Sequence, residues 1–343
     1  MYPPDDNTVS ADYFSVIDGH VDLVYMMMQK SVKIDFCDLS DGLITLKKLS
    51  EGSVRVIVSA FYCQDRYNGP QSSALHLRSI IDYAAENIHG LVPVKNENDL
   101  KKCFCRGGRT GAVFLLENAD ALIDQDALYI KNMGFSVIGL THAGKNRIGD
   151  GNGVKDPGGL TGKGSDLVKK LYSLGMIIDT AHLAEPGFWD LTDLIDGPLI
   201  SSHTGLRSFC DLPRNLSDEQ LRIIVERGGM IGLSVNPEML SIDGKADIVD
   251  VYRQADWFVQ KFGAHNIGIG SDFGGFDLVN QGLEHPGRFA DLAEIFAGHG
   301  YPEDSISNIM GKNWYLFYSD HFRKNHENSS NALKKASTSA LLL

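Results

Sequence analysis

Seven acids and histidines in this chain each lie just after a short apolar run. His20 and Asp22 follow FSVID, Glu117 closes GAVFLL, and His142 follows SVIGLT. His182 follows MIIDTA, His203 follows PLISS and Asp272 follows NIGIGS. These residue types bind divalent metals or move protons. Alternate residues on a strand point the same way, so His20 and Asp22 can face one cation. The two oxygens of Glu117 can each take one ion at the spacing of about 3.5–4 Å found in two-metal sites, with His182 and His203 supplying the second ion. Asp272 lies in GIGSDFGG, where Gly270, Gly274 and Gly275 let backbone pass close to a site and the carboxylate can exchange protons with water. Arg214, eleven positions beyond His203, is placed to clamp a substrate carboxylate. Each residue alone also reads as a cap, a strand terminus or a satisfied histidine. Their common placement after successive apolar runs favours a hydrolase with two metal ions.

The elements that must position them are eight strands, at residues 14–18, 54–61, 112–116, 137–141, 176–179, 199–201, 230–234 and 267–270. Most are continuous Val/Ile/Leu runs, as expected of a parallel sheet covered on both faces. Helical spacing falls between them at 74–86, 160–174, 218–227 and 247–262, with Ser217 as an N-cap. Eight alternating units predict an α/β chain closed into a (β/α)₈ barrel, whose chemistry gathers at the C-terminal ends of the strands. The glycine-rich stretch 144–164 begins just after His142 and reads as an active-site loop. Residues 1–323 read as a single domain, and 324–343 as a flexible tail, frayed or loosely helical.

The 343 residues suffice for one large barrel, and the hydrophobic (43%) and charged (22%) fractions are ordinary for a globular chain. A formal net charge of −12 argues against a nucleic-acid partner and against an anionic membrane surface. No apolar run approaches a membrane span, and MYPPDDNTVSADYF lacks the basic and apolar regions of a secretory signal. Cys37, Cys63, Cys103, Cys105 and Cys210 are scattered and odd in number, so they read as reduced thiols of a cytoplasmic protein. The Cys103-x-Cys105 pair has no second pair to complete a metal site.

Several segments together are similar to the membrane (renal) dipeptidase family. They are DGHVD at 18–22, LLEN at 115–118, LTH with the following N and DG at 140–151, DTAH at 179–182, SSHTGLRSFCDLPRN at 201–215 and SDFGG at 271–275. The resemblance runs from about residue 16 to 318 and is most specific where His203 is followed by Arg214-Asn215. It implies an amidohydrolase-like barrel with a binuclear zinc centre that hydrolyses dipeptides. It further implies that His20 and Asp22 bind one Zn²⁺, that His182 and His203 bind the other, and that Glu117 bridges. His142 would hydrogen-bond the scissile carbonyl oxygen, Arg214 would hold the C-terminal carboxylate, and Asp272 would shuttle the proton. Asn118 stands where the family usually has Gly, Ala181 where Ser is common, and Gly274 where many members carry a second Asp.

The expectation is therefore a zinc-dependent dipeptidase with two Zn²⁺ per subunit, acting on dipeptides through an activated water and tolerating a D-residue at the C-terminal position. Assembly as a homodimer is compatible with it. Two other readings fit the same residues. One is a different amidohydrolase-type enzyme acting on small carboxylated amides, N-acyl amino acids or lactones. The other is a non-catalytic binding module that kept the barrel.

Overall fold

The structure, a computed structural model, describes residues 14–105 and 107–340. Eight parallel strands form the barrel: β1 (Val16–Val21), β2 (Val54–Tyr62), β3 (Gly111–Glu117), β4 (Phe135–Gly139), β5 (Ile177–Asp179), β6 (Leu199–Thr204), β7 (Met230–Leu233) and β8 (Ile267–Ile269). Neighbours in sequence are neighbours in the sheet, β1 also pairs with β8, and β2 pairs with β3 from Val56↔Gly111 to Tyr62↔Glu117. The sheet is thus closed and has no free edge. A two-residue strand, Val92–Pro93, adds to the start of β3.

The continuous apolar runs divide by parity. Val56, Val58 and Ala60 of β2, with Val113 and Leu115 of β3, belong to an interior cluster, while Ile57, Phe61, Ala112 and Leu116 pack in the outer core that includes the helices. The same parity carries Glu117, two residues beyond Leu115, to the inner face at the mouth. At β1 and β6 parity is broken. Register shifts lie between Asp18 and Val21 and between Ser201 and Thr204, the segments that hold His20 and His203. Such irregularities re-aim side chains at strand ends.

The interior is completed from the last helix, Asn313–Ala340, which places Trp314, Tyr318 and Phe322 in the inner cluster. Trp314 Nε1 donates to Ile269 O at 2.9 Å. A Cβ on Gly19 or Gly268 would come within 2.5 Å of the Trp314 ring, so these two strand positions leave it room. The residues expected as a loose tail after 323 continue this helix to Ala340, in keeping with the helix formers of NALKKA. The other expected helices appear within a few residues of their predicted bounds. Ser217 and Asp247 each close a capping box, and Thr161 caps Gly162–Ser173. No helix of the described residues is long and apolar enough to cross a membrane.

Candidate active site

All eight predicted site residues meet at the C-terminal end of the barrel. His20 is the penultimate residue of β1 and Asp22 directly follows the strand, Glu117 ends β3, and His203 lies within β6. His142, His182 and Asp272 each come three residues beyond β4, β5 and β8, and Arg214 sits in the loop after β6. Among the described residues, the groups of three or more metal-type side chains all lie here.

The ligand-type atoms form two halves about Glu117. On one side His20 Nε2 lies 3.3 Å from Asp22 Oδ2 and 3.9 Å from Glu117 Oε2. On the other, Glu117 Oε1 lies 3.2 Å from His182 Nε2 and 3.9 Å from His203 Nε2, and the two imidazole nitrogens are 3.1 Å apart. Asp272 Oδ1 stands 3.9 Å from His203 Nε2. His20 Nε2 is buried and faces only the carboxylates of Asp22 and Glu117, which calls for a cation or a proton between them. Mixed imidazole and carboxylate donors converging this closely fit one divalent ion on each side of Glu117.

The electrostatics agree with that fit. Burial opposes a charge on His20, but the carboxylates of Glu117, Asp22 and Asp272 outweigh it and push the imidazole up to about 10. Burial, reinforced by Asp22, pushes Asp272 up to about 8. Burial and the nearby cationic groups instead hold His182 and His203 well below the usual histidine value, so both are neutral. A site that takes up protons among its carboxylates is one that a cation can occupy in their place.

The walls are as ordered as the floor. Asp65 Oδ2 accepts from His142 Nδ1 at 2.9 Å and from the Gly144 amide at 2.9 Å, and Tyr62 Oη is 3.2 Å from the same His142 nitrogen. Burial works against a charged His142, but the Asp65 hydrogen bond and Glu117 raise its pKa. Arg214 Nη2 donates to His203 O at 3.1 Å and lies 3.3 Å from His182 Nε2, while its Nε is buried without a partner. Its neighbour Asn215 ties the loop to Cys210 O and Met239 O. Together these residues surround a cavity of about 370 Å³, lined also by Tyr25, Asn152, Leu212 and Glu238.

The membrane dipeptidase family, peptidase family M19, matches residues 9–328. The chain belongs to this family. Among solved structures it is similar to a dipeptidase AC, described as a metallopeptidase of family M19, with a TM-score of 0.78 and 26% identity over 90% of this chain and 99% of that one. It is also similar to a metallopeptidase from Rhodobacter sphaeroides liganded with a phosphinate mimic of the dipeptide L-Ala-D-Ala. There the TM-score is 0.75 and the identity 25%, over 88% of this chain and 97% of that one. A curated relative, dipeptidase tcpJ of Claviceps purpurea, is 25% identical over 86% of this chain and 74% of its own length. Matches to an uncharacterized Klebsiella pneumoniae protein (32% identical) and to dipeptidase aclJ of Aspergillus oryzae (26% identical) take in 49% and 53% of this chain, and only 66% and 44% of those proteins.

Of the departures from the family pattern, the one at Asn118 has a local explanation in this M19 chain. Asn118 adopts the left-handed conformation (φ 64°) that glycine would hold and that asparagine tolerates. Its Oδ1 accepts from Asn146 Nδ2, and its Nδ2 donates to Cys63 O. His182 and Asp272 also have positive φ, 63° and 67°, which clusters strained backbone at the site. Gly274 leaves no side chain at its position, and the adjacent Gly275 fills a narrow place. A Cβ there would approach Asp272 Oδ1 to 2.4 Å and Asp22 Oδ2 to 2.6 Å.

The loop at 144–164 is knitted by its polar residues. Asn146 binds Leu140 O, and Arg147 pairs with the buried Asp120 at 2.8 Å. The Asn152 amide donates to His182 O, which brings that residue to the pocket wall. Sequence reasoning had drawn nothing from β2 or β7. The structure takes Tyr62 and Asp65 from the first, and from beyond the second Asn236, whose Nδ2 is 3.3 Å from Asp272 Oδ2. Placing polar residues after the apolar runs, the rule that found the other strands' contributions, points to these three as well.

Proposed function

We propose that the protein is a binuclear, zinc-dependent dipeptidase, with His20 and Asp22 holding one ion, His182 and His203 the other, and Glu117 bridging. When bound, two such cations lower the pKa of a water and polarise the scissile carbonyl. The protein's own residues do the rest. The Nδ1–H of His142 is engaged by Asp65, and its raised pKa favours a second proton on Nε2, which donates to the oxygen that gains charge. Water adds to the amide carbon and gives a proton to Asp272. The C–N bond then breaks as Asp272 returns that proton to the leaving amine. Burial raises the Asp272 carboxyl to about 8 and a cation held beside it would lower it again, a balance that suits a group taking and giving a proton near neutral pH.

The observation that carries the reading is the placement of Arg214 and Glu117 around one cavity of about 370 Å³. A buried guanidinium on the cavity wall calls for an anion, and a free α-carboxylate one residue from the scissile bond supplies it. The cavity is near the small end of ligand pockets, which suits two residues. Asp22 and Asp272 receive the free amine, with Gly274 contributing no carboxylate of its own. The L-Ala-D-Ala mimic bound by the Rhodobacter relative supports acceptance of a D-residue at the C-terminal position. The test is a panel of L,L- and L,D-dipeptides, tripeptides, N-acyl amino acids and lactones with zinc-loaded protein. Turnover confined to dipeptides is expected; turnover of lactones or N-acyl amino acids alone would replace this reading with another hydrolase activity.

A further inference from the structure

Ser202 Oγ lies 3.1 Å from His20 Nδ1 and 2.9 Å from His203 Nδ1. The two imidazoles belong to opposite halves of the site, and their rings are tilted by 36° with centroids 3.7 Å apart. One fully buried hydroxyl therefore touches the outer nitrogen of a ligand-type histidine on each side. Behind it stands Asp179, also buried, whose Oδ1 accepts the amides of Ser202 at 2.8 Å and Ala181 at 3.0 Å.

Counting protons leaves one arrangement that frees the inner nitrogen of both rings for a cation. A hydroxyl offers two lone pairs and one hydrogen, and an ionised carboxylate only accepts. If the Ser202 hydrogen goes to Asp179, its two lone pairs remain for the two Nδ1–H groups. Both neutral imidazoles then present a bare Nε2 to the space beside Glu117. If Ser202 instead donates to either Nδ1, that neutral ring must carry its proton on Nε2, where it blocks a cation. The tautomers of His20 and His203 are thus linked through a single oxygen.

We propose that Ser202, oriented by Asp179, is a positioning residue that sets both histidine tautomers together and thereby couples the two metal sites. This rests on the binuclear reading above. Metal-binding histidines commonly have the outer nitrogen fixed by one acceptor each, and loss of such an acceptor costs about 10–100-fold in affinity. Here one acceptor serves two ligands, so its loss should weaken both ions.

The test is zinc titration against a chromophoric chelator for the unaltered protein, Ser202→Ala and Asp179→Asn, with melting of each metal-free protein as a control for folding. Ser202→Ala is expected to lower the affinity of both sites by about 10–100-fold, with the metal-free melting temperature little changed. Asp179→Asn leaves Ser202 in place but offers it an amide donor. It should show the same paired loss, and it keeps the question open to test if Ser202→Ala does not fold. ¹⁵N spectra of histidine-labelled, metal-free protein should show the neutral His203 leaving the Nδ1-protonated form in both variants. Loss at one site alone, or at neither, overturns the coupling. Fewer than two ions on the unaltered protein overturns the binuclear reading itself, a failure visible before any variant is made.

Discussion

Replacing Arg214 by alanine removes the one group in the cavity that can measure substrate length. A metal centre by itself has no means of distinguishing a dipeptide from a longer chain, whereas a fixed guanidinium pairs only with a carboxylate at one distance. In the structure Nη2 donates to His203 O at 3.1 Å and stands 3.3 Å from His182 Nε2, while Nη1 makes no hydrogen bond among the described residues and is left for an anion. Burial also lowers the pKa of Arg214, the mark of a cation that is poorly solvated until a counter-charge arrives. Removing one member of a buried, charged hydrogen-bonded pair costs about 2–5 kcal/mol, which corresponds to a drop of roughly 30- to 5,000-fold in kcat/KM for dipeptides. The assay is ninhydrin or chromatographic detection of the released amino acid, with metal content measured on the same samples. Dipeptide amides, which lack the charge, should be poor substrates for the unaltered enzyme and should suffer far less from Arg214→Ala. Equal losses on acids and amides would refute the argument, and would mean that Arg214 serves mainly to hold the β6 strand end through His203 O.

Three further outcomes follow from the same geometry. His142→Ala should leave metal content intact and lower kcat by about 10²–10³-fold, the usual cost of one oxyanion donor; a variant that purifies short of one metal would make His142 a ligand instead. Gly275→Ala should force apart Asp22 and Asp272, since a Cβ there falls within 2.6 Å of a carboxylate oxygen of each, and metal affinity should fall by about tenfold or more; unchanged affinity would show that the carboxylates have room to move. Finally, metal binding at pH 7 should release protons. His20 and Asp272, held up to about 10 and about 8 in the metal-free site, carry protons there at pH 7 that a cation must displace. His182 and His203 are held low and have none to give. Affinity should therefore rise with pH through neutrality, and calorimetry in buffers of different ionisation enthalpy should detect the release; a buffer-independent heat would contradict it.

The barrel was legible because a parallel sheet covered on both faces must be apolar throughout, so runs such as VRVIVSAF and GAVFLL stand out from the polar loops. The metal-type residues were legible for the complementary reason: where such a run stops at the mouth, its next polar side chain faces the site. Glu117 needed only strand parity. His20 and His203 needed more, because their strands shift register beside them, and β1 runs from Val16 to Val21 instead of over the expected 14–18. Asp65 and Asn236 are harder to single out, because QDRYNG and NPEML also have the composition of turn and helix-cap sequences. Both residues also act through another side chain, His142 in one case and Asp272 in the other. Ser202 was hidden for a different reason. A buried serine is a common strand residue, and its meaning appears only when two histidines distant in sequence stand on either side of it. The same holds for Trp314, whose place inside the barrel depends on the absence of side chains at Gly19 and Gly268.

The central claim is that two cations sit on either side of Glu117, and anomalous diffraction at the zinc edge from zinc-loaded crystals tests it most directly. The account predicts two peaks a few ångströms apart, one against His20 and Asp22 and the other against His182 and His203, with one oxygen of Glu117 on each. A single peak, or a Glu117 carboxylate that touches neither ion, would contradict it.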